Sequence, residues 1–544
     1  YSPFRFTALL PFSGNPGAMD EPVQEETNQV VSQSDPEPEA RLTVDIAASE
    51  EGSLGRSNPD TVRDLLANWM STMEAVSPET VRSIYTFQAL KCCGQALRGQ
   101  DLQYKYHESI QAEFLHEFWS HSWQLAAGRK ILTLLFLKNG VPAALVGSFA
   151  SLVGGALALL EILPVALWST IFGVVAFWLT LLIWARQDQV FLDICCIDQE
   201  NEEAKTNGIL SMGGILKRSK RMLVLWDATY VERLWCMFEL AAFMRSHPDG
   251  DQTWKLVVMR PTLLGPCAAA VFLAILAVIG ILAALIFSKV TGPAFLYPAV
   301  IGPLLLLILF PAAMTFRKYF QSVETLSQQS KAFSLQETKC TCCSRNHVDA
   351  SGKRMPLCDR EIVTQCIDKW FGSTQAFEEA ARSTMSMATS AQLGQTLFPY
   401  HMLLVATMPL LWIMLDLAVE NLILMQGWDA WWLFWLISGV GWWMGSFPTC
   451  FAAFLYSAKA LRKQRRYRLV DWLMNFAVIG ILLPVFVVTF VPVTALAWFS
   501  GMPHWQTAIL SSAVHILTAA LMWNAPAILK GVKCQRQFRT SQPR

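Results

Sequence analysis

The residues of this sequence best suited to metal chemistry lie between positions 340 and 358. Cys340, Cys342, Cys343, His347 and Cys358 form the spacing C-x-C-C-x3-H-x10-C. Thiolate and imidazole are the ligands that zinc binds in a tetrahedral arrangement. The spacing departs from a regular pair of CxxC motifs. Two interpretations therefore stay open: a structural zinc site, or free cytosolic cysteines, some of them acylated near a bilayer.

Acidic side chains form two further candidate groups. Trp235 and Glu239 are four residues apart, so they share one face of a helix. Asp193, Asp198 and Glu200 follow a short apolar run and share one predicted loop. Metal binding is one interpretation of this loop, and a solvated acidic surface is the interpretation that we favour.

The elements that must position these side chains alternate between strand and helix. Val190–Asp193 and Arg221–Trp226 are short apolar runs typical of buried strands. Ile209–Lys217 and Leu234–Met244 place their apolar residues at helical spacing. Strands that alternate with helices predict a parallel α/β sheet.

Three neighbouring segments complete the predicted domain. Glu113–Trp123 is aromatic-rich, and the family resemblance given below implies that it is a first strand with Ser120 and His121 at its carboxyl edge, where open α/β sheets bind ligands. A membrane-proximal amphipathic helix is the alternative for this segment. Ala126–Leu137 is predicted to cover the sheet, and Trp254–Met259 to form a fourth strand. The chain before the domain, residues 57–112, is predicted to be a helical preface.

The order of residues in this region resembles the Toll/interleukin-receptor (TIR) family. The matching residues are Phe191, Asp193, Ile209, Leu216, Ser219, Met222 to Trp226, Tyr230, Trp235, Cys236, Glu239 and Leu240. The Trp-Cys-x-x-Glu-Leu segment is the most specific part of the match. Cys196–Gln199, followed by Glu203, also resembles the heterokaryon-incompatibility domain, a distant relative of TIR. The resemblance implies an abbreviated, flavodoxin-like α/β domain in residues 113–138 and 186–261.

The resemblance also implies a site and a reaction. Cleavage of the nicotinamide–ribose bond of NAD builds positive charge on the ribose, as glycoside hydrolysis does. In catalytic TIR domains the glutamate of this motif stabilises that charge. Glu239 is the matching residue, so the resemblance implies that Glu239 is catalytic and that Trp235, Ser120 and His121 bind NAD as substrate.

Many TIR domains only assemble with protein partners or with themselves, and this alternative also applies. The sequence lacks the family's Arg-Asp and Pro-Gly loop and has ICCIDQENEEAKTNG instead. In that case Trp235 and Cys236 belong to the core, and Glu239 pairs with a base such as Arg233 or Arg245. Fold alone does not decide between these functions.

Composition places the domain on a membrane protein. The chain has 544 residues, of which 53% are hydrophobic and 16% charged, and its mean hydropathy is +0.34. Its long apolar runs predict about eight spans across a lipid bilayer. The runs are Val141–Leu163, Pro164–Trp184, Leu263–Phe287, Phe295–Met314, Phe398–Val419, Trp431–Phe454, Leu473–Phe499 and Trp505–Leu529. The first two form a hairpin, residues 141–184, that interrupts the α/β domain. A net charge of +1 gives no indication of a nucleic-acid partner.

Charge distribution predicts the orientation. Basic residues crowd the connection from Lys459 to Arg468 and the tail at 530–544, whereas the short connections on the other face offer only Lys289. The positive-inside rule then places both termini, the TIR-like domain and the Cys-rich segment, residues 315–397, in the cytosol. The acidic residues 1–56 are predicted to be disordered, with Met19 as the start residue.

Two other functions stay open. A transporter or channel with a regulatory α/β domain would use ionisable groups inside its spans, and the candidates are Glu161, Asp416 and His515. A structural membrane protein with an inactive α/β remnant is the second alternative.

Overall fold

A computed structural model describes residues 59–99, 102–124, 126–248, 250–287, 296–348, 357–393, 398–424, 431–499 and 501–540. The predicted N-terminal segment 1–56 and the predicted start at Met19 lie outside these residues. Among the described residues, six strands form one mixed sheet. The strands are β1 (Arg82–Tyr85), β2 (Ile110–Gln111), β3 (Glu117–His121), β4 (Gln189–Phe191), β5 (Met222–Trp226) and β6 (Val257–Pro261).

The strand order of the sheet is β2-β1-β4-β3-β5-β6. The four strands from β4 to β6 run parallel, and β1 is antiparallel to β4. All five residues of β5 are buried, as expected of a parallel strand that is covered on both faces. The predicted strands at β3, β4 and β5 are confirmed, and the helical alternative for Glu113–Trp123 is wrong. The fourth strand begins later than predicted, because Gly250–Lys255 forms a 3₁₀ helix.

The predicted helical preface is only partly helical. It contains α1 (Pro59–Ser71), α2 (Thr86–Gly94) and α3 (Leu102–Glu108), but also the strands β1 and β2. The run Val81–Phe87 is rich in β-branched and aromatic residues, which favour strands. Ile84 pairs with Val190, so this segment extends the sheet beyond β4.

One long helix replaces two predicted elements after β3. α4 (Ala127–Leu159) joins the predicted sheet-covering helix to the first predicted span, and α5 (Trp168–Ile183) packs against it. The helix continues through its polar residues because both are buried with partners. Lys138 forms an ion pair with Glu117, and Asn139 donates to the Leu181 carbonyl at 2.9 Å.

Helices also surround the rest of the sheet. Between β4 and β6 lie α6 (Asp193–Cys196), α7 (Glu202–Leu210), α8 (Met212–Lys217) and α9 (Leu234–Ser246). After β6 come α10 (Leu264–Phe287), α11 (Leu296–Ala332), α12 (Thr341–Ser344), α13 (Asp359–Phe371) and α14 (Thr374–Gln392). The last six are α15 (Tyr400–Ala406), α16 (Met408–Leu424), α17 (Trp431–Gly441), α18 (Phe447–Ala460), α19 (Arg468–Phe499) and α20 (His504–Thr540).

The Cys-rich segment, predicted as a separate unit, packs on the sheet. Within the described part of the chain, no further strand follows β6. Instead, the Gln392 side chain at the end of α14 accepts from the Met259 amide at 3.0 Å and donates to the Val257 carbonyl at 2.7 Å. These bonds satisfy part of the exposed edge of β6, which would otherwise attract another strand.

In the part of the chain that the structure describes, four helices are long and apolar enough to cross a membrane, or five spans if the bent pair α15 and α16 counts as one. The four lie in α4, α10, α11 and α20. α5 is apolar but has only 16 residues. A π-helical turn at Trp442–Ser446 separates α17 from α18. The structure is therefore consistent with an α-helical membrane protein, and the number of eight spans stays a prediction.

A close contact between α10 and α4 generates the first test. A Cβ atom on Gly265 would lie 2.4 Å from the backbone of Leu132 and Thr133, whereas one on Gly280 would meet no atom within 4 Å. Gly265→Ala should therefore cost about 1–3 kcal/mol through overpacking and lower the apparent Tm in nanodiscs. Gly280→Ala, on the same helix, is the matched control and should not lower it. Equal Tm values for the two variants would contradict the packing described here.

Candidate functional site

A cleft opens at the carboxyl ends of β3 and β4. In the sheet, β4 lies on one side of β3 and the next strand along the chain, β5, lies on the other side. Open α/β sheets bind ligands where the strand order reverses in this way. The cleft has a volume of about 50 Å³. The lining residues come from three places. These are the end of β3 with the segments that follow β3 and β4, the helices α7 and α8, and the start of α9. The residues are His121, Ser122, Trp123, Asp193, Ile194, Ile197, Gln199, Ile209, Met212, Arg233, Trp235, Cys236 and Glu239.

A chain of hydrogen bonds holds Glu239 in the wall of the cleft. The Ser120 hydroxyl donates to the Glu239 carboxyl at 2.5 Å and lies 2.7 Å from the Tyr230 hydroxyl. Ser120 and Tyr230 are each 1% exposed, so neither reaches the open cleft. Ser120 therefore lies behind Glu239 and positions it, instead of forming the substrate contact that the resemblance implied.

Burial dominates the electrostatics of Glu239. Loss of solvent raises the pKa of its carboxyl to about 8, the hydrogen bond from Ser120 opposes this rise, and the nearby Asp193 carboxylate adds to it. An ion pair with Arg233 or Arg245 would have lowered the pKa instead. Glu239 is therefore mostly protonated at neutral pH.

His121 lies at the end of β3 beside Glu239's helix, as predicted. Burial, with the charge of Lys130, holds the pKa of its imidazole well below the usual value, so the ring is neutral. Its ring packs edge-on against Trp123 with centroids 4.4 Å apart. Its Nε2 atom is buried and has no hydrogen-bond partner among the described residues. His121 also lines the cleft, and a buried polar atom without a partner calls for an explanation, of which a bound water or ion is one.

The predicted acidic loop separates into two parts. Asp193 lines the cleft, where it accepts from the Trp123 indole at 3.0 Å and from the Ile194 amide at 2.8 Å. Burial raises the pKa of Asp193. Asp198 instead accepts from the backbone amides of Glu200 and Asn201 and shapes the turn before α7. Asp193 thus places a second carboxyl in the cleft, and the favoured solvated surface is wrong for this residue.

Trp235 and Cys236 have different positions although they are adjacent. Trp235 is half-buried, lines the cleft and donates to the Asp359 carboxyl at 3.4 Å. Cys236 is 5% exposed, and its thiol donates to the His121 carbonyl at 3.6 Å. Burial raises the pKa of Cys236 well above its usual value. The residue is therefore a neutral thiol of the core and is unsuited to nucleophilic attack.

The predicted metal ligands form a separate cluster next to the cleft. The Sγ atoms of Cys340, Cys342 and Cys343 lie within 4.8 Å of one another, and so do the ligand atoms of Cys342, His347 and Cys358. All five residues of the sequence pattern therefore lie together at α12 and the start of α13.

Sequence reasoning missed several residues of the cleft. Trp123 had no assigned role, Arg233 was named only as an alternative partner of Glu239, and Asp193 only as a TIR match and as part of the acidic loop. Arg233 brings a positive charge to the lining. The usable signal was position, because residues just after parallel strands meet at one edge of a sheet. Gln199 and Met212 had no such signal.

Comparison with known proteins adds no identification. No family model matches the chain, and no curated protein or solved structure matches it significantly.

The raised pKa of Glu239 predicts how stability depends on pH. The native pKa of about 8 exceeds the ordinary value of 4.5, so between these values the native state keeps a proton that the unfolded chain releases. The resulting stability is complete below pH 4.5 and is lost as the pH rises towards 8. Glu239→Gln, which stays neutral, should therefore have a higher apparent Tm than the parent at pH 8.

The difference should shrink at pH 5, where native Glu239 is already neutral. A change of one kcal/mol corresponds to about 2–4 °C in a domain of moderate size, so scanning fluorimetry at both pH values can resolve it. Glu200→Gln removes an exposed acid of the neighbouring loop and should show no such pH-dependent gain. A Glu239→Gln variant with the same offset at both pH values would refute the raised pKa.

Proposed function

We propose that this chain is a polytopic membrane protein whose cytosolic TIR-like α/β module cleaves NAD at the nicotinamide–ribose bond. One observation carries the proposal. Glu239, Trp235 and His121, which the TIR resemblance singled out from distant parts of the sequence, line a single cleft, and Ser120 holds Glu239 there. The parallel part of the sheet has the strand order β4-β3-β5-β6. The second parallel strand along the chain, β4, thus lies on one side of the first, β3, and the third, β5, lies on the other side. This order also supports a flavodoxin-like module.

The proposed reaction assigns a role to each group. The bond between C1′ of the ribose and the nicotinamide nitrogen breaks, and its electron pair leaves with neutral nicotinamide. Positive charge then develops on the ribose, and the Glu239 carboxylate stabilises it. Water attacks C1′ and gives its proton to Glu239 or to solvent. Asp193 is the second carboxyl of the cleft, and Arg233 supplies a positive charge that suits a phosphate.

Glu239 must be ionised for this role, and the substrate itself helps. The nicotinamide ring of NAD⁺ is cationic, and a positive charge nearby favours the ionised carboxyl. Binding of NAD therefore lowers the pKa of Glu239 from its value of about 8. In this proposal, the raised pKa of Glu239 is a property of the protein before the cationic substrate binds.

The size of the cleft adds one requirement. A volume of about 50 Å³ has room for only a few water molecules, so a dinucleotide needs a wider opening. Catalytic TIR domains work as assemblies, and we include self-association of the module, with opening of the cleft, in the proposal. The alternative of a pure assembly module would use the same surface without turnover.

The proposed orientation has support from the far end of α11. Gln329 donates to the Ala228 carbonyl of the module at 2.7 Å, and Glu324, earlier in the same helix, pairs with Arg462 at 2.6 Å. These contacts support a basic connection on the same side of the predicted bilayer as the module. By the positive-inside rule that side is the cytosol.

The transport alternative has less support. Asp416 accepts from the backbone amides of Ser169 at 2.7 Å and Thr170 at 2.9 Å, so it caps the start of α5. Glu161 is exposed in the turn between α4 and α5 with a φ of 59°. Two of the three ionisable candidates thus have structural explanations.

The full-length protein in nanodiscs should release nicotinamide from NAD, and Glu239→Ala should reduce this rate by about a hundredfold or more, as removal of an electrostatic stabiliser does. Glu200→Ala, an exposed acid outside the cleft, is the control and should keep the parental rate. If Glu239→Ala retains NAD turnover, Glu239 is not the catalytic residue. If the parent shows no turnover even at high protein density, the module is an interaction surface instead.

Ser120→Ala generates a sharper test of the hydrogen-bond chain. The bond from Ser120 lowers the pKa of Glu239, so its removal should raise that pKa further. Because kcat/KM requires ionised Glu239 in the free protein, it should rise with pH towards about 8 in the parent. In Ser120→Ala this rise should move to higher pH. An unmoved pH profile with a lower rate would show that Ser120 acts only on folding.

A further inference from the structure

Three thiols and one imidazole beside the cleft have the chemistry and the spacing of a metal site. We infer that Cys342, Cys343, His347 and Cys358 bind one zinc ion, which fastens the Cys-rich segment to the wall of the cleft. The inference does not depend on NAD cleavage, because a structural zinc site can serve an inactive module equally well.

The distances between the sulfur atoms fit a tetrahedral site. The Cys342 and Cys343 Sγ atoms are 3.9 Å apart, and those of Cys343 and Cys358 are 3.6 Å apart. A Zn–S bond of about 2.3 Å places two ligands of a tetrahedron about 3.8 Å apart. The ligand atoms of Cys342, His347 and Cys358 are all within 4.8 Å of one another. Two sulfur–sulfur distances are thus close to the tetrahedral value, and the other distances among Cys342, His347 and Cys358 are short enough for a shared zinc ion.

The backbone turns back to place the histidine. α12 carries Cys342 and Cys343, and Asn346 and His347 follow with left-handed φ values of 52° and 58°. The His347 amide donates to the Cys342 carbonyl at 2.8 Å and closes this turn. Left-handed residues other than glycine store strain, which persists where the surroundings hold it and is concentrated at functional sites. The turn brings His347 over the thiols, and a metal bond would hold it there.

Cys340 is a neighbour of the site and not a ligand. Its Sγ atom is 3.0 Å from that of Cys342, which is shorter than the distance between two zinc ligands but suits a hydrogen bond from a thiol to a bound thiolate. Cys340 is also 4% exposed. Groups in this position orient a ligand without binding the metal. Three thiolates with one imidazole favour zinc over calcium or magnesium, which take oxygen ligands.

The site is attached to the cleft on both of its sides. Lys339 precedes it, and the Leu234 amide donates to the Lys339 carbonyl at 3.1 Å, while the Lys339 ammonium is 2.7 Å from Glu232. Asp359 follows it and accepts from the Trp235 indole at 3.4 Å. Zinc would therefore link two chain segments that form hydrogen bonds and an ion pair with residues 232–235. These residues include Arg233 and Trp235 of the cleft.

Elemental analysis of the full-length protein, purified in detergent without added metal, tests the inference. We expect about one zinc per chain, and Cys343→Ser and His347→Ala should each lose most of it. Cys366→Ser is the matched control, because Cys366 is a buried thiol of α13 that donates to the Ala67 carbonyl. It should keep its zinc. A parent protein without zinc, even after refilling with zinc under reducing conditions, overturns the inference.

Two further variants separate a lost ligand from a lost fold. His347→Cys offers a fourth thiolate and should retain zinc, and cobalt substitution should then show the absorption of four thiolates in place of three. Cys340→Ser should also retain zinc. Loss of zinc in Cys340→Ser together with its retention in His347→Ala would overturn the ligand set. None of these measurements requires NAD turnover, so the outcome is independent of the proposed reaction.

Discussion

The fold depends on a helical hairpin that leaves the sheet after β3 and returns to it at β4. β3 and β4 are neighbours in the sheet, with Phe118 opposite Phe191 and their rings 4.9 Å apart. The entire hairpin of α4 and α5 lies between them in the chain. The two ends of the hairpin are held together where they meet the sheet. Lys138 forms an ion pair with Glu117 of β3, and the Lys138 carbonyl accepts from Arg186 at 3.1 Å. Without this closure, the edge that forms the cleft would not exist.

Buried polar groups then give the cleft its chemistry. Ser120, Tyr230 and Glu239 come from a strand, a turn and a helix, and each satisfies the next. A network of this kind stabilises one arrangement, because a buried polar group left without its partner is costly. The same burial holds Glu239 away from its ordinary ionisation state, so the position of the residue and its reactivity have one physical origin.

The sequence predicted the parts of this site that depend on local pattern. β3, β4 and β5 follow from their apolar runs, and the position of His121 at the carboxyl edge of the sheet follows from the rule that open α/β sheets bind ligands at that edge. β1 was missed because its pairing with β4 joins residues about a hundred positions apart, as Ile84 and Val190 show. The position of Ser120 behind Glu239 depends on which way β3 faces, which a short strand does not show in its sequence.

The continuity of α4 has a mechanical meaning. Its 33 residues form a rod about 50 Å long, whose first turns cover the sheet and whose later turns are those of a candidate span. No flexible linker separates the two parts, so the module cannot tumble freely above a bilayer. In one membrane, two copies would present their clefts at the same height and in the same orientation, and they would search for each other in a plane. Confinement of that kind raises the effective concentration of a weakly associating surface.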